Sequence, residues 1–286
     1  MELAYDVYSP PGDREQNLPP VICLHGMLDS RKTWKHIAPK IAMQTGRKVY
    51  AVDARNHGES QWEDYMTFDT LAQDLDNFLV KHDIPKAALV GHSMGGRTAL
   101  TLALLKPEKV EKIVIEDIDL RNFRPSATSS VMQFQLLLKE SLNSIPAGAS
   151  EMEAKRSIVD FILPLLGNNS SSRDIGEKFD FSMIPLKCHN GVYSWQANLN
   201  AIEQFLTTDR IRQILSGVYM GDALFLYGTK SFFKVKTDPL IPKFFPRSVR
   251  LGFQGANHLI HTEHPKRFTN EVVNFIKGYH NIQSKY

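Results

Sequence analysis

The sequence predicts an α/β fold, a mostly parallel central sheet flanked by helices, and three observations carry that reading. Short apolar runs of strand length alternate with helical patterns through the first half of the chain. These runs are apolar at nearly every position, as strands covered on both faces must be. One of them feeds a Gly-x-Ser-x-Gly turn that opens a helix, an arrangement that lifts a serine above the edge of a sheet.

Taken in order, Met1 to Tyr8 alternates like a strand and lacks the basic start and apolar middle of a secretory signal. Val21–Leu24 is a buried-type strand ending at His25-Gly26. Trp34, Ile37, Ala38 and Ile41 then fall on one helical face at i, i+3, i+4, i+7. Val49–Val52 is the next strand, and Leu71, Leu75, Phe78 and Leu79 form the stripe of the next helix. Ala87–Val90 leads into the serine turn, and Val110–Ile115 ends at Glu116-Asp117.

From about Asp119 to about Met220 the pattern is helical only, with a capping box at Ser150 and Glu153 opening a helix through Ile158, Phe161 and Ile162. Strands resume at Ala223–Tyr227 and Val249–Leu251, and a last helix aligns Phe268, Val272, Phe275, Ile276 and Tyr279. The expectation is therefore a core of residues 1–119 and 221–286, interrupted by a helical lid at 120–220. The sheet needs the C-terminal strands to be complete, which disfavours an independent second domain.

Composition narrows the function. With 286 residues, 42% hydrophobic and 23% charged, the chain is an ordinary globular one. A net charge of +3 without a basic run gives no support to nucleic-acid binding. Cys23 and Cys188 are too few for a disulfide framework. No apolar stretch approaches membrane-spanning length. Overlapping glycosylation sequons at Asn168 and Asn169 are expected to be coincidental.

A serine hydroxyl needs a histidine to take its proton and an acid to orient that histidine. In this strand–turn–helix setting the chain order is serine, acid, histidine. Ser93 is the expected nucleophile. His258, in the loop after the last strand, is the expected base, with His261 and His264 read as loop or surface histidines. The turn after Ala223–Tyr227, a common place for the acid, holds no carboxylate. Alternation along Ile113-Val114-Ile115-Glu116-Asp117 puts Asp117 on the face of Ile113 and Ile115. Asp117 is the expected acid and Asp119 the fallback; the structural alternative is a strand-end cap or a pair with Arg121. The oxyanion donors are expected to be the backbone N–H groups of Met94 and Met27. His25 is expected to fix its loop by hydrogen bonding, and the substrate pocket to draw on His25, Leu28, Phe123, Phe134 and Trp195.

His25-Gly26, the run Val52-Asp53-Ala54-Arg55-Asn56-His57-Gly58-Glu59-Ser60, Gly91-His92-Ser93-Met94-Gly95-Gly96 and Asn257-His258 together resemble the α/β-hydrolases. Within them the resemblance is to the subgroup of abhydrolase domain-containing protein 11 and the YbfF-type esterases. Gln44–Val49 and Trp195–Leu199 extend it along nearly the whole chain. The resemblance implies the α/β-hydrolase fold, with the acid after the strand that follows the serine helix. It also implies carboxylester hydrolysis, with lipid esters such as diacylglycerol as a substrate class. Animal members carry a mitochondrial transit peptide, so a mitochondrial location is implied, with the cytosol as the alternative for a chain starting at the first strand.

The leading expectation is a serine esterase or lipase. Acyl transfer and thioester hydrolysis share the same residues and stay open, and a non-catalytic binding module is the third reading. No cofactor or metal is expected. Phe232-Phe233 and Phe244-Phe245, near Lys234, Lys236 and Lys243, are candidates for peripheral membrane contact, and a protein partner stays open.

Overall fold

The computed structural model describes residues 1–12, 18–121, 125–165 and 180–279. The sequons at Asn168 and Asn169, and Phe123, lie outside the described residues. The main sheet contains β1 (Tyr5–Tyr8), β2 (Val21–Leu24), β3 (Val49–Val52), β4 (Ala87–His92), β5 (Val110–Glu116), β8 (Asp222–Gly228) and β9 (Ser248–Phe253). Its order is β1-β3-β2-β4-β5-β8-β9, and only β1 pairs antiparallel.

Period-two alternation sorts the strand residues between two apolar layers. Ile22, Leu24, Leu89, Ile113 and Ile115 face α2 (Phe68–Lys81) and α3 (Met94–Leu105). Val21, Cys23, Val90 and Val114 pack with Ile41 of α1 (Ala38–Thr45) and with Phe268, Val272 and Phe275. The last three lie on the C-terminal helix, Pro265–Ile276. Burying each of these phenylalanines contributes about 2–3 kcal/mol.

Two helices differ from expectation. The stripe Trp34–Ile41 is split into a 3₁₀ turn, Arg31–Trp34, and α1, although all four stripe residues are buried. Pro39 has no N–H to donate and is suited to the first helical turn, so the helix restarts there. The C-terminal helix ends at Ile276, leaving Tyr279 68% exposed instead of on the apolar face.

Between β5 and β8 lie α4 (Pro125–Ser141), α5 (Glu151–Leu165) and α6 (Leu199–Thr207). Ser150 and Glu153 form the expected capping box. The segment is not wholly helical, because β6 (Leu186–His189) and β7 (Val192–Trp195) form an antiparallel hairpin. Its turn is Asn190-Gly191, with φ of 48° and 79°, the left-handed pair that a tight hairpin requires.

A third apolar cluster joins this segment to the sheet's carboxyl edge. Leu138, Ile158, Trp195, Ile202 and Phe205 pack in it together with Leu28, Phe68 and Met94. Backbone bonds reinforce the junction: Gly58 N–H donates to Gln196 O at 2.6 Å, and Asn198 N–H to Asn56 O at 2.8 Å. Among the described residues, no helix is long and apolar enough to cross a membrane. Cys23 is buried, which pushes its thiol pKa up, and Cys188 is exposed on the hairpin; both are free.

Candidate active site

Ser93 sits between β4 and α3 with φ 51° and ψ −112°, a strained conformation for a residue bearing a Cβ. The turn is possible because its neighbours are glycines. A Cβ on Gly91 would collide with the Gly95 backbone, and one on Gly95 with the Leu24 carbonyl. Gly95 N–H donates to His25 O at 3.0 Å, and Ser93 N–H to Glu116 O at 2.9 Å. The elbow is thus stitched to the ends of both neighbouring strands.

Asp117 follows β5 at φ 50° and is fully buried. Its carboxylate accepts three hydrogen bonds: from Gly228 N–H at 2.9 Å, Ser231 Oγ–H at 2.5 Å and His258 Nδ1–H at 2.8 Å. His258 stands in the loop after β9, with its side chain 28% exposed. The structure brings Asp117 and His258 together, and Ser93 adjoins them through its neighbours. The preceding residue, His92, donates from Nε2 to the His258 carbonyl at 3.1 Å, and its ring centroid lies 4.6 Å from that of His258.

Asp119 is engaged elsewhere, accepting from Arg121 at 2.6 Å and from Lys234 N–H at 3.0 Å. Arg121 therefore pairs with Asp119. Arg97, fully buried in α3, donates to the carbonyls of Leu120 and Arg121 and so fixes the chain leaving Asp117. Burial lowers its pKa to about 10, while Asp119 and Asp238 oppose the shift.

The loop after β2 is held by two histidines. His25 Nε2 accepts from Ala54 N–H at 3.0 Å, so Nδ1 carries the proton and donates to Gly26 O at 2.7 Å. His57 Nδ1 donates to Arg55 O, and Nε2 accepts from Leu28 N–H at 3.1 Å, with Leu28 at φ 66°. That pattern requires a neutral His57, and burial together with His25 pushes its pKa down to about 3. A Cβ on Gly26 would lie 2.6 Å from His92 Nδ1 and 3.6 Å from Ser93 Cβ, so this loop abuts the serine.

The expected pocket residues are dispersed. Leu28 and Trp195 are buried in the third apolar cluster, where the Trp195 indole N–H donates to Leu138 O at 2.7 Å. Phe134 is 38% exposed. His25 serves its loop. Phe233 packs on the His258 ring at 5.0 Å between centroids, and Phe232, 51% exposed, lies 5.8 Å away. Phe245 belongs to the core, which removes it from any surface contact.

Three contributors were not legible as such. Ser231 lies in the turn after β8, which holds no carboxylate, and supplies a donor to Asp117. His57 sits in a polar run with no periodicity. His261 is 2% exposed, contrary to a loop or surface reading, because Glu116 bonds both its ring and its backbone N–H.

The arrangement suits activation of a serine against a carbonyl, and the comparisons with known proteins agree in kind. Residues 19–265 match the family model described as alpha/beta hydrolase fold. The chain is 32% identical over 279 residues to the zebrafish (Danio rerio) protein named sn-1-specific diacylglycerol lipase ABHD11, spanning 97% of this chain and 83% of that one. It is 26% identical to ethanol acetyltransferase 1 of Wickerhamomyces anomalus, over 97% of this chain and 74% of that one. A solved structure described as a marine microorganism esterase superposes with a TM-score of 0.76 at 26% identity, covering 96% of this chain and 99% of that one.

Proposed function

The chain belongs to the α/β-hydrolase fold family, and from that premise we propose a serine hydrolase that cleaves carboxylic esters, lipid esters such as diacylglycerols foremost. The observation that carries this reading is the 2.8 Å bond between His258 Nδ1 and Asp117, beside a serine at φ 51°. Asp117 fixes the imidazole tautomer, which frees Nε2 to take the Ser93 proton as Oγ attacks the ester carbonyl.

Met94 N–H, at the start of α3, and Met27 N–H stabilise the oxyanion; Leu28 N–H is already committed to His57. His258 then returns its proton to the departing alcohol. Water, deprotonated by the same nitrogen, attacks acyl-Ser93 and releases the carboxylic acid. Each donor or partner in such a unit typically contributes a factor of about 10² or more to kcat.

In this reading residues 120–220 are the cap over a core of 1–119 and 221–286. Met27, Leu28 and Met94 form the acyl-chain walls where the cap's apolar cluster meets the elbow. Phe232, with the exposed Lys234 and Lys236 in the same loop, is the surface that touches a lipid aggregate. The resemblance to abhydrolase domain-containing protein 11 favours a mitochondrial location, tested by imaging the tagged full-length protein.

Hydrolysis of sn-1,2-diacylglycerol in mixed micelles by wild type but not by Ser93→Ala tests the proposal. The yeast acetyltransferase relative favours a second reading, in which an alcohol replaces water at the acyl-enzyme. Hydrolysis in the presence of ethanol separates the two. Free acid as the main product supports the hydrolase, and ethyl ester as the main product supports the transferase.

A further inference from the structure

Glu116 ends β5 and Asp117 follows it directly, and the two carboxylates point to opposite sides of the sheet. Asp117 meets His258. Glu116 follows the face of Val114 and meets His261, three residues beyond His258 in the helical turn Ile260–Glu263 that ends the loop. The second contact is the more elaborate one. His261 Nδ1 lies 2.9 Å from both Glu116 oxygens, and its backbone N–H donates to Oε1 at 2.8 Å. Both side chains are essentially inaccessible to solvent, with the Trp34 ring tilted against His261 at 5.0 Å and Phe268 edge-on at 6.0 Å.

Glu116 also accepts from Ser93 N–H through its carbonyl, so one residue grips both the nucleophile and the histidine loop. His92 bridges the two histidines, donating to the His258 carbonyl with its ring 5.1 Å from that of His261. The reaction outlined above uses neither Glu116 nor His261. A buried ion pair is a poor source of net stability against an apolar substitute, and its best-attested use is to select one register.

We propose that Glu116 and His261 are positioning residues, a second acid–histidine pair on the core side that sets the height and rotation of the loop presenting His258 to Ser93, with His92 as its third support. The assignment rests on the serine-hydrolase reading. Glu116, His261 and His92 also approach within metal-ligand reach of one another. Both Glu116 oxygens, however, already accept from His261, so a proton joins the pair.

The groups facing His261 are Glu116 at the end of β5, Asp29 in the loop after β2, His92 at the end of β4, and Thr33, whose Oγ1 lies 2.9 Å from Nε2. Burial opposes its charge, but Glu116 and Asp29 outweigh burial and raise its pKa.

The test compares wild type with His261→Phe, His261→Asn, Glu116→Gln and Thr33→Val. It measures kcat and KM on a soluble short-chain p-nitrophenyl ester, fluorophosphonate labelling rates and melting temperatures. A displaced base predicts a kcat loss of roughly 100-fold in His261→Phe, with KM within about twofold and labelling slowed in parallel. His261→Asn, which restores an N–H donor to Glu116, recovers about tenfold of it. Loss of the His261 charge loosens its hold on Glu116 and lowers kcat as pH rises; Thr33→Val, which preserves shape and removes the acceptor of Nε2–H, moves that fall to lower pH.

Wild-type kcat and pH profile in Glu116→Gln and Thr33→Val, whatever their melting temperatures, overturn the proposal. So does loss of activity on treating wild type with EDTA. A folded wild type that neither hydrolyses the ester nor labels overturns the hydrolase reading itself, a result distinct from these.

Discussion

The Ser231 hydroxyl donates to the Asp117 carboxylate at 2.5 Å, reaching it from the turn after β8. Asp117 directly follows β5, and the end of β8 and the turn after it supply its hydrogen bonds: Gly228 N–H on one oxygen, Ser231 Oγ–H on the other. Ser231 Oγ accepts in turn from Phe233 N–H, so the loop bearing Phe232 and Phe233 is anchored to the same carboxylate that orients His258.

Removing that donor should leave the Asp117 carboxylate less well held. A hydrogen bond to a charged group contributes about 1.5–3 kcal/mol. Ser231→Ala should lower kcat on a soluble ester by roughly tenfold or more, with KM little changed. Steady-state kinetics at pH 7 check this.

Asp117→Asn keeps the side chain's shape but favours the wrong histidine tautomer, and should lower kcat by roughly 10³–10⁴. Asp119→Asn should stay within about threefold of wild type, since Asp119 bonds Arg121 and Lys234 N–H and not His258. A large loss in Asp119→Asn with a small one in Asp117→Asn would reverse the two roles.

The glycines of the elbow are steric requirements. Gly91→Ala and Gly95→Ala each drive a Cβ into backbone atoms that cannot move aside. Each should cost about 3 kcal/mol or more, lowering the melting temperature by roughly 10 °C in a chain of this size. Differential scanning fluorimetry of the purified variants measures it.

His57 ties stability to acid. Its folded pKa is depressed to about 3 by burial and by His25, whereas in the unfolded chain it titrates near its ordinary value of about 6.5. Its contribution is therefore complete above pH ~6.5 and is lost progressively as pH falls toward 3, by ~2 kcal/mol between pH 7 and pH 5. Buried His92, also shifted down, acts in the same direction, while His261, shifted up, loses its contribution as pH rises through its folded value. Urea unfolding at pH 7 and pH 5 should show a shallower acid loss in His57→Gln than in wild type.

Much of this architecture is legible because burial on both faces leaves a continuous apolar signature, as in Val21–Leu24 and Ala87–Val90. The choice of Asp117 over Glu116 followed from side-chain parity alone, and Asp117 is the residue that meets His258. The hairpin at Leu186–Trp195 carries little strand signal because its strands are four residues long and bury only Leu186 and Trp195, although Asn190-Gly191 carries a strong local turn signal. The Glu116–His261 pair could not be read at all. Its members are 145 residues apart, and neither lies in a recognisable motif. Ser231 carries no sequence signal of its part, because a hydroxyl in that turn becomes meaningful only once the fold sets the Asp117 carboxylate against it.

Ester cleavage by this chain requires Ser93 to be an activated nucleophile. Labelling with a fluorophosphonate probe, in wild type and in Ser93→Ala, His258→Ala and Asp117→Asn, tests it most directly. Wild type should label stoichiometrically at Ser93, Ser93→Ala should not label, and the other two should label more slowly by orders of magnitude. A folded wild type that stays unlabelled, or labelling that persists in Ser93→Ala, would contradict it.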